Sequence, residues 1–398
     1  MDETPLIVDD HDRYGRLRLI SWWRQDRLAA SRVLVVGAGA LGNEALKNLA
    51  LVGVGAIHIV DFDVVETSNL ARSVFFRAVD AGRPKAEVAA ERARELNPYI
   101  RVHAVNGDVA RDVGLGLFAA ADVVLGCLDN REARLWVNRQ CWKTNTPYVD
   151  AGIQEIQGAV QIFTPPDSAC YECGMTTQDY QLLNLRYSCP QLRPEDLRAG
   201  KVPTTPTIAA LTAALQTQEA LKILHELPCE SGVAHVFSGV STTMYSTRLT
   251  RRDDCLSHET YPEPTPIAVG CDQPARTLFD EARRIWDPSR RLTLVLERDL
   301  VTGFECRACH RTESLMIART RVELLARACA HCNLATSPIV VSVIEEGEPL
   351  AEVPLRALGV APFDVARLEA GPATGFFLLE ADRARVLNPP APRASNSP

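Results

Sequence analysis

A glycine-rich segment near the start of the chain has the residue types and spacing of a phosphate-binding turn. Gly37-Ala38-Gly39-Ala40-Leu41-Gly42 follows an apolar run and opens a helical pattern. In that context Gly37 permits the tight turn, Gly39 lets a phosphate approach the backbone, and Gly42 lets helix and strand pack closely. Asp61, 19 residues after Gly42, ends the next apolar run, where a carboxylate would hold ribose hydroxyls. The segment predicts a nucleotide site, and a nicotinamide or flavin enzyme fits these residues as well as any other nucleotide binder.

Two cations and a carboxylate further along favour a triphosphate over a dinucleotide. Arg72, Lys85 and Asp129 each lie near a predicted strand end or in a loop of the same sheet. Cations offset the charge of phosphates and a carboxylate can carry Mg²⁺, whereas a dinucleotide needs no such set. Because the chain contains no G-x-x-x-x-G-K-[ST] motif, a P-loop NTPase is excluded. The set predicts a site that binds and cleaves ATP.

Six of the 12 cysteines form three C-x-x-C pairs, the pattern of a metal site in a protein that keeps its thiols reduced. In the second half of the chain, 19 residues separate the pair Cys306/Cys309 from the pair Cys329/Cys332. This spacing is typical of a zinc ribbon, in which four thiolates bind one ion. Structural zinc is therefore predicted.

The elements that must position these residues alternate between strand and helix in the first half of the chain. Short apolar runs predict strands, and amphipathic stretches predict the helices between them. The β-α-β-α order implies an α/β domain with a mostly parallel sheet and helices on both faces. The predicted strands are Arg32–Val36, Ala56–Val60, Val102–Val105, Asp122–Leu125, Tyr148–Asp150 and Ala159–Phe163, and the predicted helices cover about 41–51, 85–96, 131–144 and a stretch after Pro206.

Composition along the chain predicts two folded domains. Residues 1–258 form the first, in which a proline-containing, polar loop at 165–205 interrupts the alternation of strand and helix. Residues 259–290 are predicted as a linker with a short helix, and 291–387 as a smaller domain that contains the zinc ribbon. The tail, 388–398, is predicted to be disordered.

Charge and hydropathy exclude several classes of protein. The 398 residues include 43 Lys and Arg against 50 Asp and Glu, a net charge of −7, so no nucleic-acid partner is expected. No uncharged apolar run reaches the ~18 residues of a membrane-spanning helix, and no apolar signal-peptide core is present in the first residues, MDETPLIVDDHDRYGR. We therefore expect a cytoplasmic protein that does not bind a membrane.

The order of these motifs resembles that of the ubiquitin-activating enzyme superfamily, including its bacterial ThiF/MoeB-type members, which adenylate sulfur carriers. The resemblance covers about residues 12–258. It runs through Arg13-Tyr14-Gly15-Arg16, Gly37–Gly42, Asp61-Phe62-Asp63, Ser68-Asn69-Leu70-Ala71-Arg72, Arg83-Pro84-Lys85, Leu128-Asp129-Asn130, Cys170/Cys173 and the helix after Pro206. It implies a doubly wound, Rossmann-like adenylation domain, to which this chain adds the smaller zinc-ribbon-containing domain.

The resemblance also implies a role for each matching position. The implied ATP-binding residues are Gly37, Gly39, Gly42, Asp61, Asp63, Asn69, Arg72, Lys85 and Asp129. Asp61 would bind the ribose hydroxyls, and Asp129 would be a ligand of Mg²⁺. Arg72 and Lys85, together with Asn69, would contact the phosphates.

One implied catalytic residue lies before the glycine segment. Arg16 matches the arginine that reaches into the neighbouring subunit's ATP site, which implies a homodimer. Two positions depart from the family pattern: Ala40 stands where a third glycine is common, and Ser73 follows Arg72 where glutamine is usual. Neither departure removes a charged group, so the implied activity is retained.

A second zinc site follows from the resemblance. Cys170 and Cys173 need two more ligands to complete a tetrahedron. The family usually supplies another C-x-x-C pair after the last strand of the domain, and at that point this chain has Cys255-Leu256-Ser257-His258. The implied site is Cys₃His, formed by Cys170, Cys173, Cys255 and His258.

Cys189 is the candidate for covalent chemistry. It lies in the loop at 165–205, where family members often carry a cysteine that forms a thioester with the activated carrier or takes part in sulfur transfer. Thiolate attack on an acyl adenylate is chemically sound because AMP is a good leaving group, and Arg186 and Arg193 could lower the pKa of the thiol. A bystander thiol remains the alternative. The other cysteines without a chemical context are Cys127, Cys141, Cys229 and Cys271.

Two adenylating functions remain open. The first is ATP-dependent adenylation of the C-terminal glycine of a ubiquitin-like protein, followed by thioester formation on Cys189 and transfer to a conjugating enzyme, as in bacterial ubiquitin-like conjugation operons. The second is a sulfur-carrier adenylyltransferase of thiamine or molybdopterin biosynthesis. Alternatives of other classes are an NAD-dependent oxidoreductase and a non-catalytic zinc scaffold. The additional zinc domain favours the first function, because a simple sulfur-carrier adenylase does not need one.

Overall fold

The computed structural model describes residues 11–180, 203–286, 289–318 and 328–388. These residues belong to two compact units. The first draws on Met1–Val109, Phe118–Gly174 and Gly200–Thr260, and the second on Ala110–Leu117, Met175–Ala199 and Tyr261–Pro398. Residues 110–117, which the sequence prediction assigned to the first domain, therefore belong to the second unit.

Strands and helices alternate along the first unit. Its strands are β1 (Arg32–Val36), β2 (Ala56–Asp61), β3 (Arg101–Asn106), β4 (Val123–Gly126), β5 (Tyr148–Gln154), β6 (Gln157–Phe163), β7 (Val233–Ser238) and β8 (Thr243–Arg248). The helices up to β8 are α1 (Gln25–Ala30), α2 (Ala40–Val52), α3 (Lys85–Leu96), α4 (Val109–Asp112), α5 (Leu115–Ala119), α6 (Arg131–Lys143) and α7 (Pro206–Leu224). The sequence analysis predicts neither β7 nor β8. Strand β8 is exposed at every position and so lacks the apolar alternation of a half-buried strand.

One eight-stranded sheet forms the centre of this unit, in the order β3-β2-β1-β4-β5-β6-β7-β8. The strands from β3 to β5 pair in parallel, and β6, β7 and β8 follow as antiparallel strands. Because the strand order reverses between β1 and β4, the loops after these two strands diverge and leave a crevice at the carboxyl edge, where ligands of such sheets bind. The predicted mostly parallel α/β sheet is confirmed.

Burial explains why these segments form central strands and where the helices end. All of β4 and the last four residues of β1 are buried, as expected for parallel strands covered on both faces. Asn130 caps α6 by accepting a hydrogen bond from the N–H of Ala133, and Gly53 ends α2 in the left-handed conformation. The cap at Asn130 thus fixes the point where the loop after β4 enters α6, and Gly53 sets the point where α2 stops.

After residue 260, the described part of the second unit contains a six-stranded sheet and two α-helices. The strands are β9 (Thr265–Ile267), β10 (Thr293–Cys306), β11 (Thr312–Ala318), β12 (Thr336–Glu345), β13 (Val365–Ala370) and β14 (Ala373–Leu379), and the helices are α8 (Ala275–Ile285) and α9 (Arg383–Leu387). The sheet order is β11-β10-β13-β14-β9, with β12 paired to β10. Leu278 and Phe279 of α8 and Ile267 of β9 lie in the buried core of this unit.

The structure differs from the sequence prediction in the segment 259–290. The prolines of this segment predict a linker, yet β9 pairs in parallel with β14 and contributes Ile267 to the core. The short helix predicted at about 276–286 is α8. Proline is tolerated here because β9 is an edge strand, where a missing backbone N–H costs little. The predicted disordered tail, apart from Asn388, lies outside the described residues.

None of the helices within the described ranges is both long and apolar enough to cross a membrane. The longest of the named helices, α7, has 19 residues but buries polar side chains, among them Gln216 and Thr217.

Candidate active site at the carboxyl edge of the parallel strands

The carboxyl ends of β1, β2 and β5 and the loops that follow β1, β2, β3 and β4 line one cavity of about 460 Å³ in the first unit. The predicted residues that line it are Gly37, Gly39, Asp61, Asp63, Asn69, Arg72, Lys85 and Asp129. Gly42 and Arg16 do not line it, and Cys189 lies outside the described residues. The cavity therefore collects groups from distant parts of the sequence at the edge of the sheet where strand order reverses.

Backbone atoms lie so close to Gly37 and Gly42 that neither position has room for a side chain. Gly37 has a φ of +99°, and a Cβ on it would lie 2.3 Å from the carbonyl oxygen of Cys127. A Cβ on Gly42 would lie 2.0 Å from the carbonyl oxygen of Gly37, so helix α2 could not approach the turn with a side chain there. Gly39 has no neighbouring heavy atom within 4 Å of an added Cβ. Its backbone faces open space, as a phosphate-binding position requires.

Asp61 joins the glycine turn to the end of β2. Its Oδ2 accepts a hydrogen bond from the N–H of Ala38 at 2.7 Å, and its Oδ1 accepts from the N–H of Asp63 at 2.8 Å. Burial raises the pKa of the Asp61 carboxyl, and these two N–H donors oppose the shift. Each carboxylate oxygen has further acceptor capacity. Asp61 can thus shape the turn and still accept hydrogen bonds from ligand hydroxyls.

Two cationic side chains reach the cavity from different elements. The Nζ of Lys85, the first residue of α3, lies 2.7 Å from Oδ2 of Asp63. Arg72 donates from Nη1 to the carbonyl oxygen of Ser68 at 2.8 Å, and its guanidinium is exposed. Asn69 is buried and accepts from the N–H of Glu66 through its side-chain oxygen at 2.9 Å. These contacts hold two positive charges beside the glycine turn.

Asp129 lines the cavity from the loop between β4 and α6. The amide of Asn130 donates to its Oδ1 at 3.3 Å. Next to it, the guanidinium of Arg134 contacts both the carbonyl oxygen of Leu128 and the carboxylate of Asp150. The cavity thus presents a carboxylate as well as two cations, a set of groups that can bind a metal–triphosphate complex.

Cys127 also lines the cavity, but it is not a nucleophile in this structure. Burial raises the pKa of its thiol to about 12, and its Sγ lies 3.4 Å from Oε1 of Gln216. Because the thiolate is the reactive species, a thiol of this kind is inert at neutral pH. Cys141 and Cys271 are likewise buried and Cys229 is half-buried, as expected for cysteines that have no chemical context.

One cysteine–histidine group lies within the first unit. Cys170, Cys173, Cys255 and His258 bring their ligand atoms to within 4.8 Å of one another. The Sγ of Cys170 lies 3.7 Å from that of Cys173 and 3.5 Å from that of Cys255, and the Sγ of Cys173 lies 3.4 Å from Nε2 of His258. Buried Glu172 supports this group through an ion pair with Arg139 at 2.9 Å. The residues suggested by the sequence therefore converge and could hold a metal ion.

A four-cysteine group lies within the second unit, at the ends of β10 and β12. The Sγ atoms of Cys306 and Cys332 are 3.4 Å apart, and those of Cys309 and Cys329 are 3.7 Å apart. Backbone N–H groups of Cys309 and Ala308 lower the pKa of Cys306 to about 6. Such N–H donation stabilises a thiolate, the form that binds a metal. The predicted ribbon cysteines therefore also converge.

A third group in the second unit does not suit a cation. Cys271, Asp272 and Asp382 are close enough to share a metal ion. However, Nε of Arg356 lies 2.6 Å from Asp272, and Arg385 contacts Asp272 at 2.9 Å and Asp382 at 2.8 Å. These guanidinium groups already balance the two carboxylates, so the group is a salt-bridge network.

Three residues of the site were not singled out from the sequence. Arg134, Asp150 and Tyr148 form a buried network behind Asp129, in which the hydroxyl of Tyr148 donates to Oδ1 of Asp150 at 2.7 Å. Asp150 does carry a signal, since it follows two apolar residues at a predicted strand end, as Asp61 does. Arg134 carries no comparable signal, because its partners come from other elements.

Comparison with known proteins agrees with the fold. A sulfur carrier protein ThiS adenylyltransferase of Escherichia coli is 33% identical over 254 residues, which cover 62% of this chain and 96% of that protein. A SAMP-activating enzyme E1 of Haloferax volcanii is 37% identical over 222 residues, covering 54% of this chain and 75% of that enzyme. A crystal structure of E. coli MccB with ATP has the same fold, with a TM-score of 0.53 at 24% identity, over 64% of this chain and 75% of MccB.

A family model also matches this chain over more than half of its length. The family model matches residues 11–257, a range that includes the glycine segment, the cavity and the Cys170/Cys173 pair. The chain belongs to the ThiF family, whose members similar to it are E1-like adenylyltransferases.

Proposed function

We propose that this protein uses ATP to adenylate the C-terminal glycine of a ubiquitin-like protein. One observation carries the proposal: Arg72, Lys85 and Asp129 converge on the same cavity as the glycine turn. Two cations and a carboxylate are what a triphosphate with a divalent cation needs, and a nicotinamide coenzyme needs neither. The names of the two enzymes compared above, a ThiS adenylyltransferase and a SAMP-activating enzyme, support a small carrier protein as the acceptor.

The residues that form the cavity have different roles in this proposal. The backbone of Gly39 approaches the phosphates, and Asp61 accepts from the ribose hydroxyls. Arg72 and Lys85, with Asn69 beside them, balance the phosphate charge. Asp63 orients Lys85 through their ion pair. Gly37 and Gly42 contribute by shape, since a side chain on either would meet backbone atoms.

The proposed reaction is a displacement at the α-phosphorus of ATP. An oxygen of the carrier's terminal carboxylate forms a bond to phosphorus, and the bond from the α-phosphorus to the bridging oxygen breaks. Pyrophosphate leaves with that electron pair, and the carrier becomes an acyl adenylate. Because a carboxylate is already ionised at neutral pH, no general base is required. The protein contributes by positioning the two reactants and by stabilising charge on the phosphates.

Asp129 fits a magnesium site. Mg²⁺ prefers oxygen ligands and usually takes one or two carboxylates together with substrate phosphates, and Asp129 offers such a carboxylate at the cavity wall. The ion, when bound, would neutralise charge on the phosphates of ATP. Asn130 orients Asp129 from one side through the hydrogen bond to its Oδ1.

Both cysteine groups fit zinc. A tetrahedral ion with zinc–sulfur distances of about 2.3 Å requires neighbouring sulfurs about 3.8 Å apart. The sulfurs of the two groups are separated by 3.4 to 3.8 Å along the contacts that join them. Zinc at these sites would be structural, since four protein ligands leave no open position. We propose that each group binds one Zn²⁺.

The later steps extend the proposal beyond the described residues. The thiol of Cys189 would attack the acyl carbon of the adenylate, form a thioester and release AMP, after which the modifier passes to a conjugating enzyme as in bacterial ubiquitin-like conjugation. Arg16 is exposed and lies outside this chain's own cavity, which is compatible with action in the neighbouring subunit of a homodimer. The zinc-binding second unit supports this branch of the family.

A second candidate is a sulfur-carrier adenylyltransferase, with Cys189 as a bystander or a sulfur-transfer residue. The observation that favours it is the match to the ThiS adenylyltransferase, which this chain covers over 96% of that enzyme's length at 33% identity. The two candidates share the adenylation step and differ in the carrier and in the fate of the adenylate.

The test is ATP–pyrophosphate exchange with purified ubiquitin-like and sulfur-carrier proteins, ThiS and SAMP included. Exchange that requires a carrier supports adenylation, and Asp129→Ala should reduce it at least about 100-fold. Asp26→Ala is the control, because Asp26 forms an exposed pair with Arg24 away from the cavity. A reducible carrier adduct that disappears in Cys189→Ala would favour the first candidate. Binding of NAD without any Mg²⁺-dependent binding of ATP would refute both.

A further inference from the structure

The guanidinium of Arg134 connects two groups at the wall of the cavity. Arg134 lies on α6, where its Nη1 contacts the carboxylate of Asp150 and its Nη2 contacts the carbonyl oxygen of Leu128. The side chain of Arg134 is 13% exposed and that of Asp150 is 2% exposed, so the pair is almost completely removed from water. A planar guanidinium suits this task, because its N–H groups point to two acceptors in fixed directions.

The carboxylate end of this network is held by the sheet. Asp150 lies on β5, and the hydroxyl of Tyr148 donates to its Oδ1 at 2.7 Å. A Cβ on Gly126, the last residue of β4, would lie 2.5 Å from the Tyr148 hydroxyl and 2.6 Å from Asp150 Oδ1. The neighbouring strand thus has a glycine at the place where the Tyr148–Asp150 pair needs room. Asp150 is therefore a rigid anchor for Arg134.

The carbonyl end of the network belongs to the loop that carries Asp129. The carbonyl of Leu128 and the N–H of Asp129 form one peptide plane, so fixing the carbonyl direction restricts the backbone of Asp129. On the other side, Asn130 caps α6 by accepting from the N–H of Ala133 at 2.8 Å. The loop is thereby held immediately before and immediately after Asp129.

We propose that Arg134 is a positioning residue for Asp129: by bridging the buried Asp150 carboxylate to the Leu128 carbonyl, it fixes the loop that presents the magnesium ligand. The inference rests on the proposed role of Asp129 and adds the residues that orient it. Groups behind a metal ligand commonly change metal affinity by about 10- to 100-fold when they are altered. Arg134→Lys keeps the positive charge beside Asp150 but cannot maintain both contacts of the fork.

The experiment measures a metal directly. Mn²⁺ is titrated into the full-length protein with saturating ATP and followed by its electron paramagnetic resonance signal, and ATP binding is measured separately without metal. We expect Arg134→Lys to weaken Mn²⁺ binding about tenfold, with ATP binding in the absence of metal changed less than about threefold. In an Asp129→Asn background, Arg134→Lys should cause no further loss, because the two residues act through one ligand.

A matched control is available in the same unit. Arg92 contacts the buried carboxylate of Asp80 at 3.5 Å and does not line the cavity. Arg92→Lys should leave Mn²⁺ binding unchanged. Tyr148→Phe is the second test variant, because it removes the hydrogen bond to Asp150 while keeping both charges of the buried pair. We expect it to weaken Mn²⁺ binding about threefold. Thermal unfolding checks that each variant folds.

The outcomes separate this inference from the proposed function. Wild-type protein that fails to bind Mn²⁺ with ATP would refute the proposed function and the inference with it. Wild-type binding together with unchanged binding by Arg134→Lys and Tyr148→Phe would refute the inference alone. Equal weakening of ATP binding with and without metal, or a full additional loss in the Asp129→Asn background, would also overturn it.

Discussion

The ammonium group of Lys85 lies 2.7 Å from Oδ2 of Asp63, and the backbone N–H of Lys85 donates to the carbonyl of Asp63 at 2.9 Å. These two contacts join the loop after β2 to the first residue of α3. The Lys85 side chain is only 12% exposed, whereas that of Asp63 is 52% exposed. The cation is thus held at the cavity by a carboxylate that solvent can still reach.

The first prediction concerns this pair. Lys85→Ala should reduce carrier-dependent ATP–pyrophosphate exchange at least about 100-fold, because a cation beside the phosphates is lost. Asp63→Asn should reduce it less than about tenfold, since the amide oxygen still accepts a hydrogen bond from the ammonium group. Lys47→Ala is the control: Lys47 pairs with Glu44 and does not line the cavity. Exchange at the wild-type rate in Lys85→Ala would contradict the site assignment.

The second prediction separates two glycines of the same turn. Gly42→Ala should lower the free energy of unfolding by about 3 kcal/mol, because its Cβ would lie 2.0 Å from a backbone carbonyl oxygen. Gly39→Ala should cost less than about 1 kcal/mol, since its Cβ meets no atom within 4 Å. The Gly39 methyl would instead weaken ATP binding by occupying the phosphate position. Urea unfolding and ATP titration measure the two effects, and a Gly42→Ala protein as stable as wild type would be inconsistent with the crowding described.

The third prediction concerns metal content. Purified protein should contain about two zinc ions per chain, one for each set of four ligands. Cys170→Ser and Cys306→Ser should each remove about one of them, as measured by inductively coupled plasma mass spectrometry. Cys229→Ser, at a half-buried cysteine outside both groups, should leave the content unchanged. Zinc content that is the same in all four proteins would rule out these ligand sets.

The fourth prediction is a loss of stability in mild acid. His103 on β3 packs against His58 on β2 with ring centroids 4.8 Å apart. Burial, followed by the charge of Arg94, lowers the pKa of His103 from 6.5 to about 4. Between these two values the unfolded chain binds a proton that the folded protein does not. The free energy of unfolding should therefore fall as pH decreases from about 6.5 to about 4.

Urea unfolding between pH 4 and pH 8 measures this effect. His103→Phe should have a flatter pH profile than wild type, because the protonation difference is removed while the ring contact is kept. His235→Gln is the comparison variant, since His235 lies on β7 with its Nδ1 2.7 Å from the hydroxyl of Ser246. If the His103→Phe and wild-type profiles run parallel, another group causes the acid dependence.

Local features made much of the fold and cavity predictable. The glycine turn, Asp61 and Lys85 all lie next to strand or helix ends that apolar periodicity marks in the sequence. Because carboxyl ends of parallel strands meet at one edge, their convergence follows from the β-α-β order. The ribbon cysteines were predictable from their spacing, because the two C-x-x-C pairs reflect the arrangement of ligands around one ion.

Features that depend on contacts between distant segments were not predictable. The link from Arg134 to Asp150 joins α6 to β5, and although Asp150 stands out at a strand end, no local pattern marks Arg134 as its partner. Strand β8 is exposed throughout and is defined by its pairing with β7. No local sequence pattern predicts that pairing. The same holds for β9, where the prolines suggest a linker and pairing with β14 makes a strand.

The assignment of residues 110–117 to the second unit has a consequence for any attempt to separate the two halves of the chain. The N–H of Leu115 donates to the Asp364 carboxylate at 2.8 Å, and the N–H of Gly116 donates to the carbonyl of Phe363 at 2.9 Å. Truncation after residue 258 would remove both acceptors and leave this stretch, between β3 and β4, without its native partners. A fragment that ends at residue 258 would therefore lack these two contacts in the segment that follows Gly107 and Asp108, which line the cavity.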